Sequence, residues 1–242
     1  MKKFVIIAIA VVVLAGGGIA AFMFLNKKEE TQAPQTQQPA KDAFNKTQYS
    51  ITEPGSPWWL VNKQRPIADD DYAPGERVAP NIKLRWAPIA ESMQVSKQIA
   101  PALEQMYKGS QTAGFDLMLI SGYRSAKTQK ELYDGYVAQH GQAEADRFSA
   151  RPGTSEHQTG LVVDLGRADK NCELETCFGE TAEGKWLAEH AHEYGFIIRY
   201  PQGKEAIVGY QYEPWHLRYV GPELAAELFR TKQTMEEFFV GR

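Results

Sequence analysis

Two short stretches of the chain hold the residue types that bind zinc in hydrolytic enzymes. Residues 155–164 read Ser-Glu-His-Gln-Thr-Gly-Leu-Val-Val-Asp and contain His157 and Asp164, while residues 213–216 read Glu-Pro-Trp-His and contain His216. A catalytic zinc site takes three nitrogen or oxygen ligands from the protein and keeps one position open. These three side chains therefore form a candidate metal site.

A metal hydrolase also needs a base that takes a proton from the attacking water. Glu213 lies three residues before His216, so the local backbone can bring its carboxylate close to that water without making it a ligand. A fixed cation stabilises the charge that develops on an attacked carbonyl oxygen, and Arg124 is the candidate. On spacing alone, His157 and His216 are explained equally well as ordinary polar residues at turns, and Arg124 as part of a surface ion pair.

The composition is that of an ordinary folded protein. The 242 residues suffice for one sizeable domain with additional segments, and 43% of them are hydrophobic. The formal net charge of -3 at pH 7 gives no basic surface of the kind that binds nucleic acid. We therefore expect no nucleic-acid partner, and nothing in the sequence implies a protein partner.

Residues 1–28 are predicted to form a signal anchor, an N-terminal transmembrane helix. Lys2 and Lys3 precede an apolar run, residues 4–25, without a charged or polar side chain. At 1.5 Å per residue this run spans roughly 33 Å, about the thickness of a bilayer core. Cleaved signal peptides have shorter apolar regions, so we favour retention, with cleavage near Ala20 as the alternative.

The anchor is followed by a predicted flexible stalk, residues 29–49, and a predicted folded domain, residues 50–242. The stalk is rich in Gln, Thr, Pro, Ala and Lys and has too few large apolar side chains to fold alone. Because only three residues precede the apolar run, we place the long C-terminal part outside. The chain is thus predicted to be a single-pass protein of the cell membrane with an extracytoplasmic domain.

Hydrophobic periodicity and turn residues divide the domain into helices and strands. An irregular arm at about 51–72 carries Trp58 and Trp59, which should pack on the domain. Ser125 is a suitable N-cap for one helix and Gly195 a suitable stop for another. Helices are predicted at about 89–108, 125–140, 181–194 and 222–239, and strands at about 115–120, 161–164, 196–200 and 207–212.

Cys172 and Cys177 lie five residues apart in a polar loop. Outside a membrane such a pair is typical of a small-loop disulfide, which we favour over free thiols. A zinc site would need further ligands at suitable spacing nearby, and there are none. His190 and His192, two apart on a predicted helix, face different directions and are interpreted as surface or packing residues.

Separated motifs, in the same order, resemble the VanY family of zinc D-alanyl-D-alanine carboxypeptidases and the related L,D-carboxypeptidases. They are Ser-Gly-Tyr-Arg-Ser at 121–125 with Gln129, Pro-Gly-Thr-Ser-Glu-His-Gln-Thr-Gly at 152–160, then Asp164, and Glu-Pro-Trp-His at 213–216 with Arg218 and Tyr219. The resemblance extends, with gaps, from about residue 61 to residue 225. One departure is Val162, where family members usually carry alanine; this changes packing and should not remove a ligand.

The resemblance implies an α+β fold of the hedgehog/DD-peptidase type, a small antiparallel sheet flanked by helices. It implies that Zn2+ is held by His157, Asp164 and His216, that Glu213 is the base and that Arg124 polarises the scissile carbonyl. Residues expected to contact the substrate are Tyr123, Ser125, Gln129, Ser155 and Trp215.

The implied activity is removal of the terminal D-alanine from peptidoglycan stem peptides by a membrane-anchored enzyme. An L,D-carboxypeptidase acting on tetrapeptide stems shares the reaction and is the main alternative. A non-catalytic cell-wall-binding module is less favoured, because Glu213 and all three ligands are present. A serine carboxypeptidase would need Ser-x-x-Lys and Lys-Thr-Gly, and the sequence contains neither.

Overall fold

The computed structural model describes residues 44–241, which form a mixed α+β fold. Within them, four strands build an antiparallel sheet in the order β3-β4-β6-β5, and β1 and β2 pair separately. The strands are β1 (Arg77–Val78), β2 (Val95–Ser96), β3 (Leu117–Ser121), β4 (Val162–Arg167), β5 (Phe196–Tyr200) and β6 (Glu213–Tyr219). The helices are α1 (Ala100–Thr112), α2 (Ala126–His140), α3 (Gln142–Phe148), α4 (Ala182–His190), α5 (Glu205–Val208), α6 (Pro222–Thr231) and α7 (Met235–Val240).

One face of the sheet carries the main core and the other carries polar side chains. Val163 and Leu165 of β4 and Leu217 of β6 belong to the core. Successive side chains of a strand point to opposite faces, so Asp164 and His216 lie on the other side. The core is completed by side chains of α1, α4 and the loop before α4, among them Leu103, Met106, Leu187 and Phe178.

A second core attaches the N-terminal arm to the C-terminal helices. Trp58 is 1% exposed and packs with Leu224, Leu228 and Phe238. Its indole N–H donates to the carbonyl of Val220 at 2.8 Å. The expectation that the tryptophan arm packs on the domain is therefore confirmed.

Several predicted elements are confirmed with small shifts of their ends. They are strands β3, β4 and β5 and helices α2 and α4, the last continued by a 3-10 turn, Ala191–Tyr194. Ser125 caps α2 by accepting a hydrogen bond from the backbone N–H of Thr128 at 3.3 Å. Gly195 ends the 3-10 turn with a φ of 85°, a conformation that glycine adopts without strain.

The predicted helix at 89–108 is wrong in its first half. Residues 91–93 form a 3-10 turn, β2 follows, and α1 begins only at Ala100. The N–H groups of Gly122 and Tyr123 donate to the carbonyls of Ser92 and Gln94, respectively, at 2.6 Å each. These carbonyls therefore have partners distant in sequence and are not available for helical hydrogen bonds. Long-range backbone pairing thus overrides the local helical spacing.

Two further predictions at the C-terminal end are corrected. The strand expected at 207–212 is absent from this part of the described chain, because Glu205–Val208 forms a helical turn that Gly209 ends at a φ of 83°. The helix expected at 222–239 is two helices, because Lys232 adopts a left-handed conformation and Thr234 begins α7 with a capping box.

The anchor predicted at 1–28 lies outside the described residues, as does most of the predicted stalk. Among residues 44–241, no helix has the length and apolar character needed to cross a bilayer. Phe44 already packs against Trp58 and Phe238, with ring centroids 5.6 and 5.3 Å apart.

The close approach at Gly122 gives a stability prediction. A Cβ on Gly122 would lie 2.3 Å from the backbone oxygen of Gln94, so Gly122→Ala must displace backbone and should lower the free energy of unfolding by about 1–3 kcal/mol. Gly135→Ala, in α2, is the matched control, because its Cβ would meet no described atom within 4 Å. This substitution should raise the free energy of unfolding by about 1 kcal/mol at most. Urea unfolding measures both, and equal midpoints for the two variants would contradict the packing argument.

Candidate active site

The three candidate ligands come together in the fold and are buried. His157 lies on a 3-10 turn, Glu156–Thr159, while Asp164 on β4 is paired directly with His216 on β6. His157 Nε2 is 3.3 Å from Asp164 Oδ2, and His216 Nδ1 is 3.0 Å from Asp164 Oδ1. One ligand atom from each residue lies within 4.8 Å of the other two. This is the cluster that the sequence predicted.

The two imidazole rings are oriented by different partners. His157 Nδ1 forms a 2.6 Å hydrogen bond with the backbone oxygen of Gly122, which directs Nε2 towards Asp164. The ring of His216 stacks on Tyr200 with centroids 4.7 Å apart and stands nearly perpendicular to the ring of His157. The rings therefore present Nε2 of one histidine and Nδ1 of the other to the same carboxylate.

Glu213 is the first residue of β6 and lies beside the cluster. Its Oε2 is 3.9 Å from His216 Nδ1. Burial raises the pKa of Glu213 to about 8, although His216 opposes the shift and Asp164 adds to it. A carboxyl group with this affinity for protons can both accept and return one near neutral pH.

Buried charges also set the pKa values of the candidate ligands. Burial, assisted by Arg124, lowers the pKa of His157. Burial alone would lower the pKa of His216, but the carboxylates of Asp164 and Glu156 raise it to about 9. The pKa of His157 is therefore lowered and that of His216 raised, although both rings lie next to Asp164.

Arg124 reaches into the same space from the end of β3. Its Nη2 is 4.0 Å from Asp164 Oδ2 and donates to Ser121 Oγ at 3.1 Å, and Nη1 donates to Gln129 Oε1 at 2.9 Å. Gln129 is fixed in turn, since its amide donates to the backbone oxygen of Ala150 at 2.7 Å. The guanidinium is thus held at the edge of the ligand cluster.

A cleft opens over the cluster and is lined by several of the predicted site residues, Arg124, Gln129, Ser155, Glu213 and Trp215. Further lining residues were not singled out from the sequence as site residues: Tyr136, Phe148, Leu174, Tyr200, Tyr210 and Gln211. They come from five separate segments and follow no common spacing, so no sequence signal marked them. Their aromatic and apolar side chains form the walls of the cleft.

Tyr123 and Ser125 lie next to the cleft rather than among its lining residues. The ring of Tyr123 is buried beneath the guanidinium of Arg77, 4.2 Å away. Ser125 caps α2, and its N–H donates to Glu91 Oε1 at 2.9 Å. These contacts hold the backbone on both sides of Arg124, and direct substrate contact by either side chain stays a prediction.

The loop after β4 is closed by a disulfide between Cys172 and Cys177, as the sequence analysis favoured. Leu174, inside this loop, lines the cleft and is 43% exposed. Glu173 accepts hydrogen bonds from Arg85 at 3.2 Å, which ties the loop to the segment before α1. His190 pairs with Glu193 and His192 stacks on Phe229, so both are surface or packing residues as expected.

The fold is that of a carboxypeptidase family. Residues 92–222 match the family model described as VanY: D-alanyl-D-alanine carboxypeptidase. The chain belongs to this family and is a carboxypeptidase.

Three relatives illustrate the similarity. The "Putative carboxypeptidase YodJ" of Bacillus subtilis is 40% identical over 190 residues, which cover 78% of this chain and 69% of YodJ. The solved structure of the LD-carboxypeptidase LdcB is 40% identical, covers 78% of this chain and 88% of LdcB, and superposes with a TM-score of 0.74. A variant of the D,D-pentapeptidase VanY, solved with Zn(II), is 32% identical, covers 74% of this chain and 96% of VanY, and has a TM-score of 0.60.

The hydrogen bonds of Gln129 give a prediction for the site. Gln129→Met keeps the length of the side chain but leaves the partly buried oxygen of Ala150 without its donor and takes away the acceptor of Arg124 Nη1. We expect the free energy of unfolding to fall by about 1–3 kcal/mol. Gln139→Met, exposed on the same helix, is the control and should change it by less than about 0.5 kcal/mol. Urea denaturation measures the free energy of unfolding of both variants. An equal decrease in the two would mean that the hydrogen bonds of Gln129 make no specific contribution to stability.

Proposed function

We propose that the chain is a zinc-dependent carboxypeptidase that removes the terminal D-alanine from peptidoglycan stem peptides. The observation that carries this proposal is the buried cluster of His157, Asp164 and His216, with Glu213 and Arg124 at its edge. Family membership supplies the reaction class, and these side chains supply the chemistry.

The cluster fits zinc by its donor set. Two imidazole nitrogens and one carboxylate oxygen make the kind of three-ligand set that catalytic zinc sites use. His157, Asp164 and His216 would hold the ion through Nε2, the carboxylate and Nδ1. The VanY structure with Zn(II) supports this choice of metal by similarity. Zinc bound there supplies a Lewis acid for the scissile carbonyl and for water.

The protein's own groups would handle the proton and the developing charge. Glu213 accepts the proton of the attacking water on its carboxylate and returns it to the amine of the departing D-alanine. Its carboxylate is positioned for both transfers, because Oε2 lies 3.9 Å from Nδ1 of the candidate ligand His216. Arg124 donates to the carbonyl oxygen as negative charge develops there. Ser155, Gln129 and Trp215 border the cleft in which the peptide end would lie.

The stereochemistry on the acyl side of the scissile bond separates two candidate activities. The description of the family model supports D,D-cleavage of pentapeptide stems, our first candidate. The similarity to LdcB, at 40% identity and a TM-score of 0.74, favours L,D-cleavage of tetrapeptide stems as the second. The cleft walls that differ between such enzymes would include Leu174 and the tyrosines around the cluster.

The proposed location is the outer side of the cell membrane, with residues 1–28 as the anchor and 29–49 as the stalk. The apolar run at 4–25 supports the anchor. The disulfide between Cys172 and Cys177 supports an oxidising, extracytoplasmic environment for the domain. This location places the cleft next to cell-wall peptides.

The activity is tested with the purified full chain in detergent, loaded with zinc. Muropeptides ending in D-Ala-D-Ala and tetrapeptides ending in a single D-Ala are incubated separately, with and without chelator, and analysed by mass spectrometry. Chelator-sensitive loss of one alanine from the pentapeptide identifies a D,D-carboxypeptidase, and loss from the tetrapeptide alone identifies an L,D-enzyme. Loss from neither, with zinc bound, would favour the binding module.

The roles of Glu213 and His216 separate in a pair of variants. Glu213→Gln should keep zinc and lose turnover by about 100-fold or more, because only the base is removed. His216→Ala should lose zinc together with the rise in melting temperature that zinc gives the wild type. Zinc content by atomic absorption and melting with and without zinc distinguish them. Near-normal turnover in Glu213→Gln would refute its role as base, and unchanged zinc content in His216→Ala would remove it from the ligand set.

A further inference from the structure

A buried cluster of charged side chains lies directly behind the candidate zinc site. Glu156, Arg199, Arg218 and Glu236 are each at most 2% exposed. Arg199 donates from Nε to Glu156 Oε1 at 2.9 Å, and Arg218 donates from Nη1 to the same oxygen at 2.8 Å. Arg199 also forms two hydrogen bonds with Glu236, at 2.9 and 2.6 Å. Two positive and two negative groups therefore balance in the interior.

One oxygen of this cluster remains without a hydrogen-bond partner. Both arginines occupy Oε1 of Glu156, and Oε2 has no hydrogen-bond partner among the described residues. The same holds for Nε2 of His216 within residues 44–241. These two buried atoms face each other at 3.8 Å. Buried polar atoms without partners are rare in folded proteins, so a pair that faces one another calls for a physical role.

The orientation of the His216 ring explains the pair. Nδ1 points to Asp164, and the ring plane is fixed by stacking on Tyr200. If Nδ1 binds the metal, Nε2 carries the ring proton and needs an acceptor. Glu156 Oε2, 3.8 Å from Nε2, is a carboxylate oxygen that attracts this proton, and the two arginines on Oε1 hold the carboxylate in place.

We propose that Glu156 is a positioning residue that holds the proton of His216 on Nε2 and thereby presents Nδ1 to zinc. This inference rests on the proposed zinc site and adds a residue that is not itself one of the three metal ligands. The charged cluster also connects Glu156 to two distant segments. Arg218 donates to the backbone oxygens of Trp59 and Pro57 at 2.7 and 3.0 Å, and Glu236 lies on α7. The N-terminal arm and the last helix thus support a zinc ligand through Glu156.

Two isosteric variants test this role in the full chain. In Glu156→Gln the amide oxygen stays on the two arginines, so the NH2 group, which only donates, takes the place of Oε2 next to His216 Nε2. Glu236→Gln removes the same charge from the same cluster but has no contact with His216 among those the structure describes. A merely structural role of the cluster would affect both variants alike. The readout is the dissociation constant for zinc, measured by competition with a chelator well below the melting temperature.

We expect Glu156→Gln to bind zinc about 10- to 100-fold more weakly than the wild type, and Glu236→Gln to bind it as the wild type does. Equal affinities in the two variants would overturn the positioning role while leaving the zinc site intact. A wild type that binds no zinc would instead overturn the proposed function together with this inference.

A second measurement needs no variant and therefore stands even if Glu156→Gln does not fold. Zinc is added to the wild-type chain with nitrogen-15-labelled histidine, and two-bond proton–nitrogen spectra report which ring nitrogens bind metal and which keep a proton. We expect zinc to change the signals of two histidines. His157 should bind through Nε2, because its Nδ1 is hydrogen-bonded to the backbone oxygen of Gly122. His216 should bind through Nδ1 and keep its proton on Nε2. Binding through Nε2 in both would refute the proposal.

Discussion

The antiparallel pairing of β4 with β6 is the constraint on which the site depends. It sets Asp164 directly opposite His216, although 52 residues separate them in the chain. The register follows from the alternation of side chains, because Val163, Leu165 and Leu217 must face the core. A slip of one residue would bury the polar side chains in that core and expose the apolar ones. The packing of one sheet face thus fixes the chemistry on the other.

Buried charge explains why distant segments of the chain pack so closely around this sheet. Arg199 on β5 and Arg218 on β6 are both buried and would be strongly destabilising without partners. Glu156 before β4 and Glu236 on α7 provide the opposing charges. Satisfying the arginines therefore requires the turn that bears His157, two strands and the C-terminal helix to be in place together. The integrity of the candidate metal site and that of the fold are coupled through this requirement.

The walls of the cleft are positioned differently from its floor, the strands that carry Asp164, Glu213 and His216. The floor consists of strands whose register the core dictates, whereas the walls come from α2, α3, the disulfide-closed loop and the segments at Tyr200 and Tyr210. Tyr136, Phe148 and Leu174 contribute shape and apolar surface without charged chemistry of their own. A family can retain the floor and vary such walls, which is consistent with similarity to enzymes named for both D,D- and L,D-cleavage.

Elements with a local cause were predictable from the sequence. The cap of Ser125, the stop at Gly195 and the apolar runs of β3, β4 and β5 depend on neighbouring residues, and the structure confirms them. Elements governed by distant partners were not. Residues 89–99 read as helix yet pair with the backbone at Gly122 and Tyr123, and the expected strand at 207–212 is a helical turn.

The same division applies to the site. The sequence by itself determined the chemical inventory, two histidines, an aspartate, a glutamate and an arginine in separated motifs, because residue type and order are properties of the chain. Only the tertiary structure decided that these side chains meet, which nitrogen each histidine presents, and that Glu156 faces His216 from behind. The reason is physical: distances between segments, and the burial that shifts the pKa of Glu213, arise only when the core brings remote strands into register.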